Sequence, residues 1–195
     1  VSRNVMKKKD LRLLFKQKRL ELTPSELDNR SSEICERLFA NFQLEGKTIS
    51  LFLPIEKHRE INTYKILEKG ISIGTRIGIP KSNLSNTSMK HYVYESPSQL
   101  QLNELGIPEP CNGKVLKDTE FDYVIIPLLT IDSQGHRVGY GKGFYDRFLE
   151  NCSNKCIKIG LHLFEEFVEI DDIADHDASL DFCITPLSIH RFERK

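Results

Sequence analysis

The chain has 195 residues, 39% of them hydrophobic, with 28 Lys and Arg exactly offset by 28 Asp and Glu. That length fits one domain with a sizeable core; zero formal charge argues against a general nucleic-acid binder, and no run approaches the roughly 18 apolar residues of a spanning helix. Five cysteines, an odd number, and a polar opening "VSRNVMKKKD" without the apolar stretch of a secretion signal predict reduced thiols and a cytoplasmic protein.

We expect a single domain over residues 1–195, with residues 1–6 outside the ordered fold. Charge is unevenly placed. Residues 1–19 carry eight basic side chains and one acid, Asp10, whereas residues 159–190 carry eight acids and no Lys or Arg. One end suits phosphate and the other a cation, although two solvated faces are the plainer reading. Residues 7–22 have helical spacing: Leu11, Leu14, Phe15 and Leu22 form one face, and Lys8, Arg12, Lys16 and Arg19 another. "TPSE" at Thr23–Glu26 is a capping box with Pro24 at the first helical position, so a second helix should run to about Phe42. "TISLFLP" (Thr48–Pro54) reads as a buried strand and "INTYKILEKG" (Ile61–Gly70) as a short helix with a glycine stop. Further strands are expected near Arg76–Ile79, Lys90–Tyr94, Tyr123–Pro127, Lys158–His162 and Asp181–Thr185. "PKSNLSNTS" and "EPCNGK" are expected to be surface turns. Strands alternating with helices predict an α/β fold with a largely parallel, mixed sheet covered on both faces.

The stretch "HRVGYGKGFYDRFL" (His136–Leu149) stands out. Gly139, Gly141 and Gly143 take alternate positions around Tyr140 and Lys142, after a buried strand and a turn at Asp132–Gly135, and ahead of a helix with Phe144, Phe148 and Cys152 on one side. A strand, a glycine loop and a helix in that order aim free N–H groups and the positive helix end at whatever lies above the sheet. Glycines let the main chain approach a bulky anion. The pattern is neither the Walker loop nor the dinucleotide fingerprint. A glycine-rich hairpin is the plainer alternative, and two cations, Arg137 and Lys142, count against it. Asp146 in the first helical turn is a favourable dipole partner; beside a polyphosphate it also suits magnesium, which takes one or two carboxylates together with phosphate oxygens. Spacing leaves Asp172, Asp175, Asp177 and Asp181 open as the second acid.

The glycine segment, "KKDLR" (Lys8–Arg12), "REINT" around Glu60, "ELGIPEP" (Glu104–Pro110) and "DHDASLDFCIT" occur in an order that resembles the 5-formyltetrahydrofolate cyclo-ligase family, over about residues 7–186. The resemblance implies a three-layer α/β/α domain and an ATP- and magnesium-dependent C–N bond-forming ligase. It would convert 5-formyltetrahydrofolate to 5,10-methenyltetrahydrofolate, ADP and phosphate by phosphorylating the formyl oxygen. It also implies roles. Lys8, Lys9, Asp10, Leu11 and Arg12, with Arg137, Val138, Gly139, Tyr140, Gly141, Lys142, Gly143, Phe144 and Tyr145, would bind ATP. Arg12, Leu53, Glu60, Tyr140, Gly141, Lys142, Gly143 and Phe144 would border the folate. Lys142, Arg137 and Tyr145 would be catalytic, and Asp146 and Asp177 would hold magnesium. Phe144 stands where the family commonly has tyrosine, and "IEKHRE" ahead of Glu60 is longer than the common form.

Rival readings are an ATP-independent phosphosugar isomerase on a similar fold, a nucleic-acid binder using the basic first helix, and a folate binder without turnover. His58 and His162 read as surface or packed residues, His136 as a turn residue, and Cys111 as structural. The expected partners are the two small-molecule substrates, with no nucleic acid or membrane, and a monomer or weak homo-oligomer.

Overall fold

In a computed structural model of the chain, residues 5–174 and 177–193 are described. Eight strands form one sheet: β1 (Thr48–Leu51), β2 (Arg76–Asn83), β3 (Ser88–Val93), β4 (Val115–Leu116), β5 (Tyr123–Pro127), β6 (Ile157–Leu161), β7 (Phe182–Ile184) and β8 (Ile189–Arg191). Their spatial order is β8-β7-β6-β5-β1-β2-β3-β4. The five central strands, β7, β6, β5, β1 and β2, pair in parallel. Antiparallel strands close both edges.

Side-chain alternation puts apolar residues on both faces of the central strands. Ile49, Leu51, Tyr123 and Ile125 join one cluster with Ile34, Leu38, Ile66 and Leu67, supplied by helices α2 (Pro24–Asn41) and α3 (Tyr64–Ser72). Val124, Ile126 and Cys183 face the other way, onto Phe148 of α4 (Phe144–Asn151). The result is three layers, α/β/α, as the alternation of elements predicts. The capping box forms at α2: Glu26 N donates to Thr23 Oγ1 at 3.2 Å, and Thr23 N donates to Glu26 Oε2 at 2.7 Å.

Helix α1 (Lys8–Glu21) lies elsewhere. Its Leu11 and Phe15 pack on Leu129, Val138 and Ile170, beyond the C-terminal end of β5. Leu14, expected on that buried face, is 39% exposed, while Arg19, expected on the solvent face, is 2% exposed. Val5–Met6 were expected outside the fold; instead they pair in parallel with Glu169–Ile170. "PKSNLSNTS" is part strand: Pro80–Asn83 pair with Ser88–His91, and only the tip turns, through Asn83 and Asn86 side chains that accept from Ser85 N and Ser88 N. None of the described helices is long and apolar enough to cross a membrane.

From β1 the chain crosses through α3 to β2 on one side. From β5, the neighbour of β1, it crosses through α4 to β6 on the other side. Crossovers leaving adjacent strands in opposite directions open a crevice at the strands' C-terminal ends, where α/β sheets bind ligands.

Candidate active site

Two segments enter that crevice. Pro54–Glu60 follows β1, and the loop that follows β5 runs through a short hairpin, Thr130–Ile131 with Arg137–Val138, into the glycines. Asp132 shapes the hairpin turn. Its carboxylate accepts from Gln134 N, His136 N and His136 Nδ1, each at 2.8 Å, which makes His136 a turn residue as expected.

The three glycines differ. Gly141 (φ +87°) and Gly143 (φ +70°) hold left-handed backbone that a side chain would strain, and Gly143 is the residue from which α4 starts. A Cβ on Gly141 would sit 3.0 Å from the Arg12 guanidinium carbon. Gly139 has neither constraint, and open space lies over it. Arg12 Nε also donates to Gly139 O at 2.8 Å, so α1 grips the loop at two points. Lys142 is exposed at the tip, with no carboxylate partner among the described residues.

Below the loop lies a buried polar cluster. Glu60, 5% exposed, accepts from Ile55 N at 2.7 Å through Oε2 and from the Tyr140 hydroxyl through Oε1. Arg19 donates to the Tyr140 hydroxyl at 3.1 Å and to Leu128 O, and its guanidinium is 3.9 Å from Glu60. Burial pushes the Glu60 carboxyl above its ordinary value, against the opposing charge of Arg19 and the hydrogen bonds from Tyr140 and Ile55. Burial and then the charge of Glu60 push the hydroxyls of Tyr140 and Tyr145 up, so both stay protonated and can donate. His58 stacks on the Tyr140 ring with centroids 5.3 Å apart, and Lys16 Nζ lies 5.4 Å from the centroid of that ring. The turn after β1 also borders a cavity of about 630 Å³, walled by Pro54, Lys57, Tyr64, Leu67, Tyr94 and Leu100; none of Glu60, Tyr140 and Arg19 lines it.

The acids lie on the loop's other flank. Asp146 Oδ1 accepts from Arg137 at 2.6 Å and from Ala178 N at 3.3 Å. The neighbouring Asp177 pairs with Lys8 and accepts from Ala174 N at 2.7 Å. The Ala178 amide thus ties Asp146 to the segment that carries Asp177. Asp172 accepts from Lys8 N at 2.7 Å. Asp181 lies elsewhere, buried and accepting from Lys158 N at 2.7 Å. Asp175 lies outside the described residues.

Most residues expected at the site converge there, but not all reach it by their side chains. Leu11, Val138 and Leu53 are buried in apolar clusters and support the site from beneath. Lys9 and Asp10 are exposed, and Phe144 is half-buried at the start of α4. Arg19, Lys16 and His58 were not expected at the site. A signal for Arg19 and Lys16 existed: together with Lys8 and Arg12 they sit at i, i+4, i+8 and i+11, one face of α1. What spacing does not show is that a later loop lays Tyr140 across that face.

A profile of the 5-formyltetrahydrofolate cyclo-ligase family matches residues 4–186. A probable 5-formyltetrahydrofolate cyclo-ligase of Schizosaccharomyces pombe is 26% identical, covering 95% of this chain and 98% of the relative. The 5-formyltetrahydrofolate cyclo-ligase of Escherichia coli K12 is 28% identical, covering 90% and 98%. Among solved structures, the 5,10-methenyltetrahydrofolate synthetase of Mycoplasma pneumoniae superposes with a TM-score of 0.74 at 27% identity, over 93% of this chain and 99% of that one. The Aquifex aeolicus 5,10-methenyltetrahydrofolate synthetase shares the fold with a TM-score of 0.82 at 24% identity, over 97% and 95%. With sequence profile, curated relatives and backbone agreeing over nearly the full length, this chain belongs to the 5-formyltetrahydrofolate cyclo-ligase family.

Proposed function

We propose that the protein catalyses the ATP-dependent cyclisation of 5-formyltetrahydrofolate to 5,10-methenyltetrahydrofolate, releasing ADP and phosphate. The observation that carries this reading is the shared loop. Residues 137–143 carry Arg137 and Lys142 and are held by Arg12 on one flank, and through the Tyr140 hydroxyl they meet the buried carboxylate of Glu60 on the other. An anion and a folate bound there would be separated by little more than glycine backbone.

The chemistry needs that closeness. The formyl group is an amide, and its carbonyl is a poor electrophile. Transfer of the γ-phosphoryl group to the formyl oxygen releases ADP and turns that oxygen into part of a leaving group. The folate's own N10 then attacks the formyl carbon, its proton departs, the C–O bond breaks and phosphate leaves. Ring closure is intramolecular, and alignment of that kind supplies about 7–11 kcal/mol. Phosphoryl transfer is governed by positioning and charge neutralisation.

Arg12, Lys142 and the loop amides would bind the phosphates. Arg137 and Lys8, now paired with Asp146 and Asp177, stand ready to turn toward an incoming polyphosphate. The protonated Tyr145 hydroxyl would be a donor for the formyl oxygen. Glu60 would take the pterin edge. Carboxylates are hard oxygen donors that suit magnesium, and Asp146 and Asp177, the latter on the segment bonded to Asp146, are the residues that would hold it. Its contribution there would be neutralisation of phosphate charge.

The test is direct. The purified chain is mixed with 5-formyltetrahydrofolate, and the ultraviolet band of the methenyl product is followed with and without ATP and with and without magnesium. Signal is expected only with both, and Lys142→Ala should lower the rate about 100-fold while the protein stays folded. Product formed without ATP would overturn the reading.

A further inference from the structure

Arg19 is the one lysine or arginine buried among the described residues, and the roles above do not use it. A buried guanidinium is costly unless its N–H groups are met, and a buried ion pair is often replaceable by apolar side chains without loss of stability. Arg19 is incompletely met: two nitrogens reach Tyr140 and Leu128, and Nε has no hydrogen-bond partner among the described residues. Stability alone is a weak reason for such a residue. Its surroundings supply another.

Glu60 spends one lone pair on Ile55 N and one on the Tyr140 hydroxyl, so each carboxylate oxygen can still accept. Ionised, it can receive two adjacent N–H donors at once. Protonated, it becomes a donor itself and that pairing fails. Burial favours the protonated form, and the strongest pull against it is the charge of Arg19. Tyr140 touches both residues, so a single hydroxyl ties the arginine to the carboxylate.

We propose that Arg19 is a positioning residue for the folate: it holds Glu60 and the Tyr140 hydroxyl in one arrangement and presents Glu60 as a charged double acceptor to a ligand with adjacent N–H groups, the amino-pyrimidinone edge of a reduced folate. This rests on the folate reading above. The groups around Glu60 are Arg19 and Lys16 from α1, Lys57 and His58 from the turn after β1, Tyr140 from the glycine loop and Tyr145 from α4. Among them Arg19 is the buried cation next to the carboxylate.

The experiment measures binding of 5-formyltetrahydrofolate to the full chain by calorimetry between about pH 5 and 8, with ATP binding measured alongside. Arg19→Met should weaken folate binding about tenfold or more near the acid end, with the gap narrowing as pH rises and Glu60 ionises unaided. ATP affinity should stay within about twofold. Arg19→Lys, which restores charge without the planar fork, should recover most of the pH profile. Tyr140→Phe should shift the profile in the same direction as Arg19→Met and remains informative if Arg19→Met does not fold. On a Glu60→Gln background, Arg19→Met should add little. Equal losses for ATP and folate, or a loss that neither follows pH nor responds to Arg19→Lys, would overturn the role. Folate binding without turnover would sink the proposed reaction and leave Arg19 standing; a wild-type chain that binds no folate would sink both.

Discussion

Gly139 and Gly141 have the same side chain and different reasons for it. Gly141 is constrained from inside, by a left-handed backbone and by Arg12 against its face. Gly141→Ala should therefore cost about 1–3 kcal/mol of stability and loosen the hold of Arg12 on the loop. A Cβ added at Gly139 would meet no atom of the described residues within 4 Å, and its φ is not left-handed. Gly139→Ala should leave the melting temperature within about 2 °C of wild type and weaken nucleotide binding by obstructing close approach. Thermal unfolding and nucleotide titration of the two variants separate loop architecture from ligand space. A melting temperature lowered equally by both would mean that Gly139 is also structural. The residue scale is where sequence reading reached least evenly. The glycine run, Lys142 and Asp146 are conspicuous by type and spacing, whereas Arg19 looks like a solvated basic residue until the Tyr140 loop is laid over it.

At the scale of elements, local chemistry was highly legible. The four α-helices of the described residues and the central strands lie near where periodicity and caps place them, because each element's signal sits within its own residues. The capping box at Thr23–Glu26 is complete and far in sequence from the loop, so Thr23→Ala should lower stability by about 1 kcal/mol in chemical denaturation with unchanged turnover below the transition. A turnover defect at low temperature would show that α2 communicates with the site. Less legible were the sheet edges. β3, β4 and β8 are antiparallel, and their pairing depends on long-range register that propensity does not encode. Pro80 inside a paired strand is one case: as a turn residue it hid the strand continuing to Asn83.

Over the whole molecule, buried histidines set the response to acid. His91, bonded to Ser50 Oγ at 2.8 Å and flanked by Phe121 and Phe148, and His162, between Phe15 and Phe164, are both pushed down to about 3 by burial. Their ordinary value in the unfolded chain is 6.5, so the unfolded state binds more protons between the two values. Stability should be fully expressed above about pH 6.5 and fall as pH drops toward 3, by up to about 2.7 kcal/mol per pH unit for the pair. Glu60, raised by burial, opposes this trend above its ordinary value of 4.5. Denaturant titrations at several pH values check the slope, and His91→Gln should flatten it; an unchanged slope would mean that His91 does not govern it. The architecture was legible as an α/β sandwich, while the anchoring of the first helix by residues 169–177 was not. Val5 and Met6 pair with Glu169 and Ile170, Asp171 N donates to Met6 O, and Lys8 meets Asp172 and Asp177. On a ribosome the first helix therefore emerges long before the partners that anchor it.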